Sequence, residues 1–255
     1  MSEMSATNEG SGGIGRVGIV GGGIMGSGIA EVCARAGVPV RVVEASPEAA
    51  AAARSRIESS LARAEAAGKE PDAAATLSRI ETGTELGELV GSDLVIEAIV
   101  EDREAKVELF GRLAEMLADD LPILATNTSS VPIVELAAAA GELAPRVLGI
   151  HFFNPVPVMK LVEVIPSLLT DPAVKDEAWA FAEGTLGKDV IEASDRAGFT
   201  VNALLIPYLL SAVRMYEQGL ASAEDIDTGM VRGCGHPMGP LRLSDLIGLD
   251  TVMSV

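Results

Sequence analysis

Arg16-Val17-Gly18-Ile19-Val20-Gly21-Gly22-Gly23-Ile24-Met25-Gly26 is the stretch that decides the fold. Its first five residues read as a short buried strand. A glycine cluster follows, and from Ile24 to Ala36 apolar residues recur at helical spacing. Gly37 ends that helix and Val38 to Val43 reads as a second strand, so the segment is a β-turn-α-β unit. Gly21, Gly23 and Gly26 fill the three positions of G-x-G-x-x-G. The first glycine permits the tight turn, the second lets backbone approach a pyrophosphate, and the third allows close helix–strand packing. Ile24 and Met25 open the helix beside them, where free N–H groups would face the phosphates, and count among the cofactor contacts. Glu44 closes the second strand, 18 residues beyond Gly26. An acid there accepts the adenosine ribose hydroxyls and repels a 2′-phosphate, which favours NAD over NADP. The bland alternative is a glycine-rich turn without nucleotide and a solvated Glu44. The strand–turn–helix context weighs against it.

Outward from this unit, Pro47 to Ala67 is an Ala-rich helix with Ile57, Leu61 and Ala64 along one face. Asp93 to Val100 reads as a buried parallel strand, Glu104 to Leu117 as a helix, and Ile123 to Asn127 as a strand ending in a polar turn. Ile133 to Ala140 is a helix and Val147 to Phe153 a strand. Lys160 to Ile165 is expected to be antiparallel, because only a short Pro-rich loop precedes it. Val174 to Leu186 reads as a helix and Asp189 to Ala193 as the last strand. This alternation implies an α/β fold with a Rossmann-type, doubly wound sheet covered on both faces. After Asp195 helices take over: about Thr200 to Gln218, Ser222 to Arg232, and a start near Pro240. The expected organisation is a flexible tail over 1–13, an NAD-binding domain over 14–194 and a smaller all-helical C-terminal domain over 195–255.

Of the 255 residues, 48% are hydrophobic but only 3% aromatic, so the core must be aliphatic and Ala-rich. A net charge of -18 argues against nucleic-acid binding, though backbone N–H groups can still bind an anionic ligand. Cys33 and Cys234, the only cysteines, form neither a disulfide framework nor a zinc pattern, which suits a reducing cytoplasm. The polar start, Met1 to Gly13, lacks the basic and apolar regions of a signal peptide. No uninterrupted apolar run is long enough for a bilayer. The most apolar region, Phe199 to Val213, is broken by Asn202, Pro207 and Ser211 and suits a buried helix.

Ile150-His151-Phe152-Phe153-Asn154-Pro155-Val156-Pro157 places one of two histidines at a strand end, and Glu163 follows on the next strand. A turn joining the two strands could bring the side chains together, and a carboxylate beside an imidazole raises its basicity and fixes its orientation. On spacing alone, a structural histidine with satisfied hydrogen bonds is the favoured reading. No His/Cys/acid cluster has metal-ligand spacing, so no metal is expected.

Three segments carry a resemblance: Asn127-Thr128-Ser129-Ser130, then His151-Phe152-Phe153-Asn154-Pro155-Val156-Pro157-Val158-Met159-Lys160-Leu161-Val162-Glu163-Val164, then Gly198-Phe199-Thr200-Val201-Asn202. Together they resemble the short-chain L-3-hydroxyacyl-CoA dehydrogenases, whose bacterial members are often called 3-hydroxybutyryl-CoA dehydrogenases. The resemblance runs from about Arg16 to Val255. It implies an enzyme of fatty acid metabolism that interconverts (S)-3-hydroxyacyl-CoA and 3-oxoacyl-CoA, typically 3-hydroxybutyryl-CoA and acetoacetyl-CoA, with NAD. His151 would be the base, Glu163 its orienting partner, Ser129 a hydrogen-bonding partner of the reacting oxygen near the nicotinamide, and Asn202 a substrate-holding group. Asn154, Glu101 and Lys106 match cofactor contacts, although Glu101 and Lys106 could equally be solvated helix charges. Ser60 matches a CoA contact, and Lys69 is displaced from the family's lysine. His236, in a Gly-x-Pro-Met-Gly-Pro loop, reads as structural. The resemblance also implies a homodimer formed through the helical domain.

The chain departs from the family in two places. Ala203 stands where many relatives carry Arg. The sequence stops at Val255, where relatives continue with further helix, so the helical domain is expected to be incomplete. A free hydroxy acid dehydrogenase and a non-catalytic NAD-binding module are the competing readings.

Overall fold

The computed structural model describes residues 13–249 and Val252, so the expected tail before Gly13 and the chain end lie outside the described residues. An eight-stranded sheet forms the body, in the order β3-β2-β1-β4-β5-β6-β7-β8. The strands are β1 (Val17–Val20), β2 (Val40–Val43), β3 (Ile80–Gly83), β4 (Leu94–Glu97), β5 (Ile123–Thr126), β6 (Val147–Phe152), β7 (Leu161–Pro166) and β8 (Asp189–Glu192). Every neighbouring pair is parallel except β6–β7, which is antiparallel as the short Pro-rich loop requires.

The chain runs outward from β1 through β2 to β3, then crosses back to place β4 on the other side of β1. That reversal opens a crevice at the carboxyl ends of β1 and β4, the usual ligand position in open α/β sheets. Helices α1 (Ile24–Arg35), α2 (Pro47–Ala66), α3 (Ala73–Leu77) and α6 (Pro172–Ala180) belong to one side, and α4 (Arg103–Met116) and α5 (Ile133–Ala139) to the other. Strand alternation divides the core accordingly. Ile19 packs with Ile29, Ile57 and Leu61, while its neighbour Val20 packs with Leu109, Phe110 and Leu136. The strands nearest the centre are buried on both faces, which explains their unbroken apolar runs.

Two elements were not legible in the sequence. In β3 only Ile80 is buried, so this edge strand exists by pairing with β2 rather than by an apolar pattern. The short α3 starts at Asp72, whose side chain accepts from Ala75 N at 2.8 Å. One expectation needs correcting: the helix expected over Val174 to Leu186 begins at Pro172 and gives way to a π-helical turn over Phe181–Thr185. Asp171 caps its start, and Gly184 weakens α-helical continuation.

Beyond β8, α7 (Val201–Glu217), α8 (Ala223–Cys234) and α9 (Pro240–Ile247) pack against one another as a helical C-terminal domain. Two carboxylates fasten it to the sheet. Asp195 accepts from Ile133 N at 2.7 Å and Val134 N at 2.8 Å at the start of α5. Glu163 of β7 accepts from Thr200 N and Val201 N, both at 3.0 Å, at the start of α7. Among the described residues, no helix is long and apolar enough to cross a membrane.

Candidate active site

The turn after β1 has the shape that its glycines dictate. Gly21 has φ +95°, and a Cβ there would lie 2.6 Å from Ala98 O at the end of β4. At Gly26 a Cβ would lie 1.8 Å from Gly21 O, so only glycine lets α1 pack this close. Gly22 is also fixed, because a Cβ there would meet Ala53 Cβ of α2 at 2.5 Å. Gly23 differs: a Cβ would meet nothing within 4 Å, and no side chain caps α1. Open space beside free N–H groups at a helix N-terminus suits a pyrophosphate. Glu44 stands at the end of β2 and accepts from Gly22 N at 2.6 Å, which brings the acid to the turn. Ile24 is exposed, and Met25 packs partly into the core.

Ser27 and Arg56 were not singled out by the sequence. Ser27 Oγ donates to Gly22 O at 2.7 Å, and the Arg56 guanidinium reaches the same carbonyl from α2. Nothing in the glycine spacing signals a partner from another helix.

A second constellation lies at the ends of β4 and β5. Lys106 of α4 is 1% exposed and pairs with Glu97 at 2.5 Å and Glu101 at 3.1 Å. The reading of Lys106 as a solvated helix charge is therefore wrong: Asp102 starts α4 and turns Lys106 inward, where a buried ammonium needs carboxylate partners. Glu101 Oε1 in turn accepts from Ser129 N at 2.8 Å, Ser130 N at 3.0 Å, Ser130 Oγ at 2.9 Å and the Thr128 hydroxyl. Burial pushes its carboxyl up, but the Lys106 ammonium and the hydrogen bonds of the Thr128–Ser130 turn outweigh it and hold the pKa down at about 2. Glu97, fully buried, also accepts from Thr126 Oγ1 at 2.6 Å and Ile99 N at 2.7 Å. The sequence reading passed over it, though a lone acid in an apolar strand is a signal.

On the neighbouring strands His151 and Glu163 face each other in the β6–β7 register. His151 Nδ1 lies 2.8 Å from Glu163 Oε2, with the histidine 6% exposed and the glutamate fully buried. Phe153 and Phe199 set ring edges against the imidazole at centroid distances of 4.7 and 5.4 Å. Glu163 uses its other oxygen on the start of α7, which places Asn202 one residue beyond that contact. Asn202 belongs to the stretch that the sequence suggested as a buried helix. Instead it is half-buried in the first turn of α7 and makes no side-chain hydrogen bond among the described residues, because a first-turn position keeps access to solvent. Asn127 Oδ1 accepts from Phe152 N at 2.9 Å and so joins the Ser129 turn to the strand that carries His151.

These arrangements sit in a chain whose residues 16–196 match the model of the 3-hydroxyacyl-CoA dehydrogenase NAD binding domain and whose residues 198–255 match the C-terminal domain of the same family. The chain belongs to the 3-hydroxyacyl-CoA dehydrogenase family. As a member of this NAD-dependent family it is an oxidoreductase, and its open glycine turn lies within the segment that matches the family's NAD binding domain. It is 54% identical over 239 residues to the 3-hydroxybutyryl-CoA dehydrogenase of Mycobacterium tuberculosis, covering 93% of this chain and 83% of that one. Hydroxyacyl-coenzyme A dehydrogenase, mitochondrial, of Homo sapiens is 46% identical over 242 residues, with coverages of 91% and 76%. A crystal structure of M. tuberculosis FadB2 superimposes with a TM-score of 0.92 at 53% identity, covering 95% of this chain and 85% of that chain.

Within this 3-hydroxyacyl-CoA dehydrogenase fold, Ser60 and Asn154 line a common groove of about 160 Å³ between α1, α2 and the loop after β6. Lys69 does not line it: the residue is exposed beyond the end of α2, with its N–H bonded to Ala64 O at 2.8 Å. His236 Nδ1 pairs with Tyr208 Oη at 3.1 Å between α7 and the α8–α9 connection. Ala203 bonds through its backbone to Gly198 O at 2.9 Å and points an exposed methyl group outward.

Proposed function

We propose that the protein interconverts (S)-3-hydroxybutyryl-CoA and acetoacetyl-CoA, with His151 and Glu163 as an acid–base dyad. The observation that carries this reading is the 2.8 Å contact of His151 Nδ1 with buried Glu163. A carboxylate accepts only, so Nδ1 bears the hydrogen and Nε2 keeps its lone pair. In the oxidative direction Nε2 takes the hydroxyl proton as the C3–O bond becomes a carbonyl. Glu163 then stabilises the imidazolium and holds the ring. Bound NAD supplies the two-electron acceptor. Ser129 and Asn202 orient the oxygen through hydrogen bonds, and Glu101 fixes the turn from which Ser129 projects. Gly21, Gly23, Ile24, Met25, Gly26, Glu44, Glu101, Lys106, Ser129 and Asn154 form the cofactor side. Lys106 contributes there by holding Glu101. Ser60 takes the CoA portion, with a weaker assignment of Lys69. The relatives named for 3-hydroxybutyryl-CoA support the four-carbon substrate.

Residues 14–194 hold the nucleotide and 195–255 close over the substrate. The helical domain joins a second copy: Leu204 on α7 is 73% exposed, Leu246 on α9 is 70% exposed, and Tyr216 is also bare. Two free thiols, Cys33 and Cys234, accord with a cytoplasmic setting.

Acetoacetyl-CoA reduction with NADH tests the proposal. H151A should lower kcat by about 10²–10⁴-fold while NADH binding, measured by calorimetry, stays unchanged. An unaltered rate removes His151 as the base. Equal turnover of 3-hydroxybutyrate and its thioester would shift the reading to a free hydroxy acid, and NADH binding without any turnover would shift it to a binding module.

A further inference from the structure

Lys188 lies in the turn before β8 and is 8% exposed. Its ammonium donates to Val156 O at 2.8 Å and Met159 O at 2.7 Å, two carbonyls of the loop between β6 and β7. Among the described residues no carboxylate pairs with this ammonium. Burial pushes the neighbouring Cys33 thiol of α1 up to about 12, so it stays neutral and supplies no counter-charge. Burial also pushes the Lys188 ammonium below the ordinary lysine range. A lysine kept in the interior without a counter-charge is costly unless its hydrogen bonds do something specific.

The bonded loop is not an arbitrary one. It starts directly after His151 and Phe152, carries Asn154, and packs Val156 against α1, where a Cβ on Gly28 would lie 2.8 Å from Val156 Cβ. The post itself is rigid. Gly187 turns with φ +64°, Lys188 N bonds Ala182 O at 3.0 Å, and Asp189 N bonds Lys160 O at 2.9 Å.

We infer that Lys188 is a positioning residue, whose ammonium clamps the 154–159 loop so that Asn154 is held against the dinucleotide helix beside His151. The inference rests on the reading of Asn154 as a cofactor contact. Charge-assisted bonds to two carbonyls three residues apart fix a loop more tightly than packing alone, and replacing the cation with an isosteric apolar chain leaves both carbonyls unpaired.

Two readouts on the full-length protein test this. In K188M, amide hydrogen exchange across residues 154–160 should accelerate while exchange in β1, β4 and β5 stays as in the wild type. The NADH Kd, followed by fluorescence, should rise about tenfold or more, with KM for acetoacetyl-CoA within about twofold. K188R should recover most of the NADH affinity. Adding K188M to N154A should weaken NADH binding by no more than about twofold beyond N154A alone, since both changes remove one device. Unchanged exchange in the loop, or fully additive losses in the cycle, overturns the clamp. Should K188M not fold, K188Q, which keeps donors but no charge, carries the same expectations and the same overturning results. The loop effect in K188M, together with a wild-type protein that does not turn over acetoacetyl-CoA, would refute the substrate reading and leave the clamp standing.

Discussion

Glu101 shows how one side chain can be read three ways. From the sequence it is an acid five residues before a lysine, open to a role in solvent or at a cofactor. In the structure its carboxylate organises the Ser129 turn, and Lys106 and the hydroxyls hold its pKa at about 2 against an ordinary 4.5. A depressed carboxyl pKa adds stability that is present above the unfolded value and is lost as the pH falls through the folded one. E101Q should therefore cost roughly 1 kcal/mol near neutral pH, less than the full shift implies because the carboxylate is partly open to solvent. The gap to the wild type should narrow as the pH drops from 4.5 toward 2, measured by urea unfolding across that window. A gap that stays constant with pH would show that the carboxylate charge is not what holds the turn. His151 and Glu163 are a different case. Both residue types were legible, but the fact that they face each other depended on a register no spacing rule fixes, because a slip of one residue would send the two side chains to opposite faces.

At the scale of the element, the glycine turn separates two jobs that the motif merges. Gly26 faces backbone at 1.8 Å, whereas Gly23 faces open space with φ −60°. G26A should destabilise the fold and lower Tm by several degrees or abolish soluble expression. G23A should leave Tm close to the wild-type value and weaken NADH binding by about tenfold or more, because the methyl group enters the space meant for phosphate. A G23A protein that binds NADH normally would place the pyrophosphate elsewhere. The elements with strong apolar patterns, β1, β4, β5 and α1, were legible because burial on both faces demands unbroken aliphatic runs. The edge strand β3 and the π-helical end of α6 were not, since each is set by neighbours rather than by its own pattern.

At the scale of the molecule, the helical domain is joined to the sheet through the dyad itself, because Glu163 serves both His151 and the N-terminus of α7. The proposed dyad and the domain attachment therefore share one carboxylate. The exposed apolar residues Leu204, Leu210 and Tyr216 on α7 lie on the domain proposed to join a second copy. L210E combined with Y216E should convert a dimer to monomer in sedimentation velocity while leaving the sheet folded. Persistence of the dimer would move the interface off α7.

The sequence by itself determined the nucleotide-binding unit, the class of fold and the family, and it named the candidate residues of the site. These follow from local rules: turns that only glycine can make, periodicities of apolar residues, and short runs of motif. Tertiary structure alone decided that Lys106 points inward to Glu97, that Asn202 stays half-buried, that Arg56 reaches a carbonyl of the glycine turn, and that Lys188 holds the loop after His151. Three of these are polar contacts between separate elements and the other is a degree of exposure; all depend on burial and hydrogen-bond geometry that appear only once the sheet and its helices have closed.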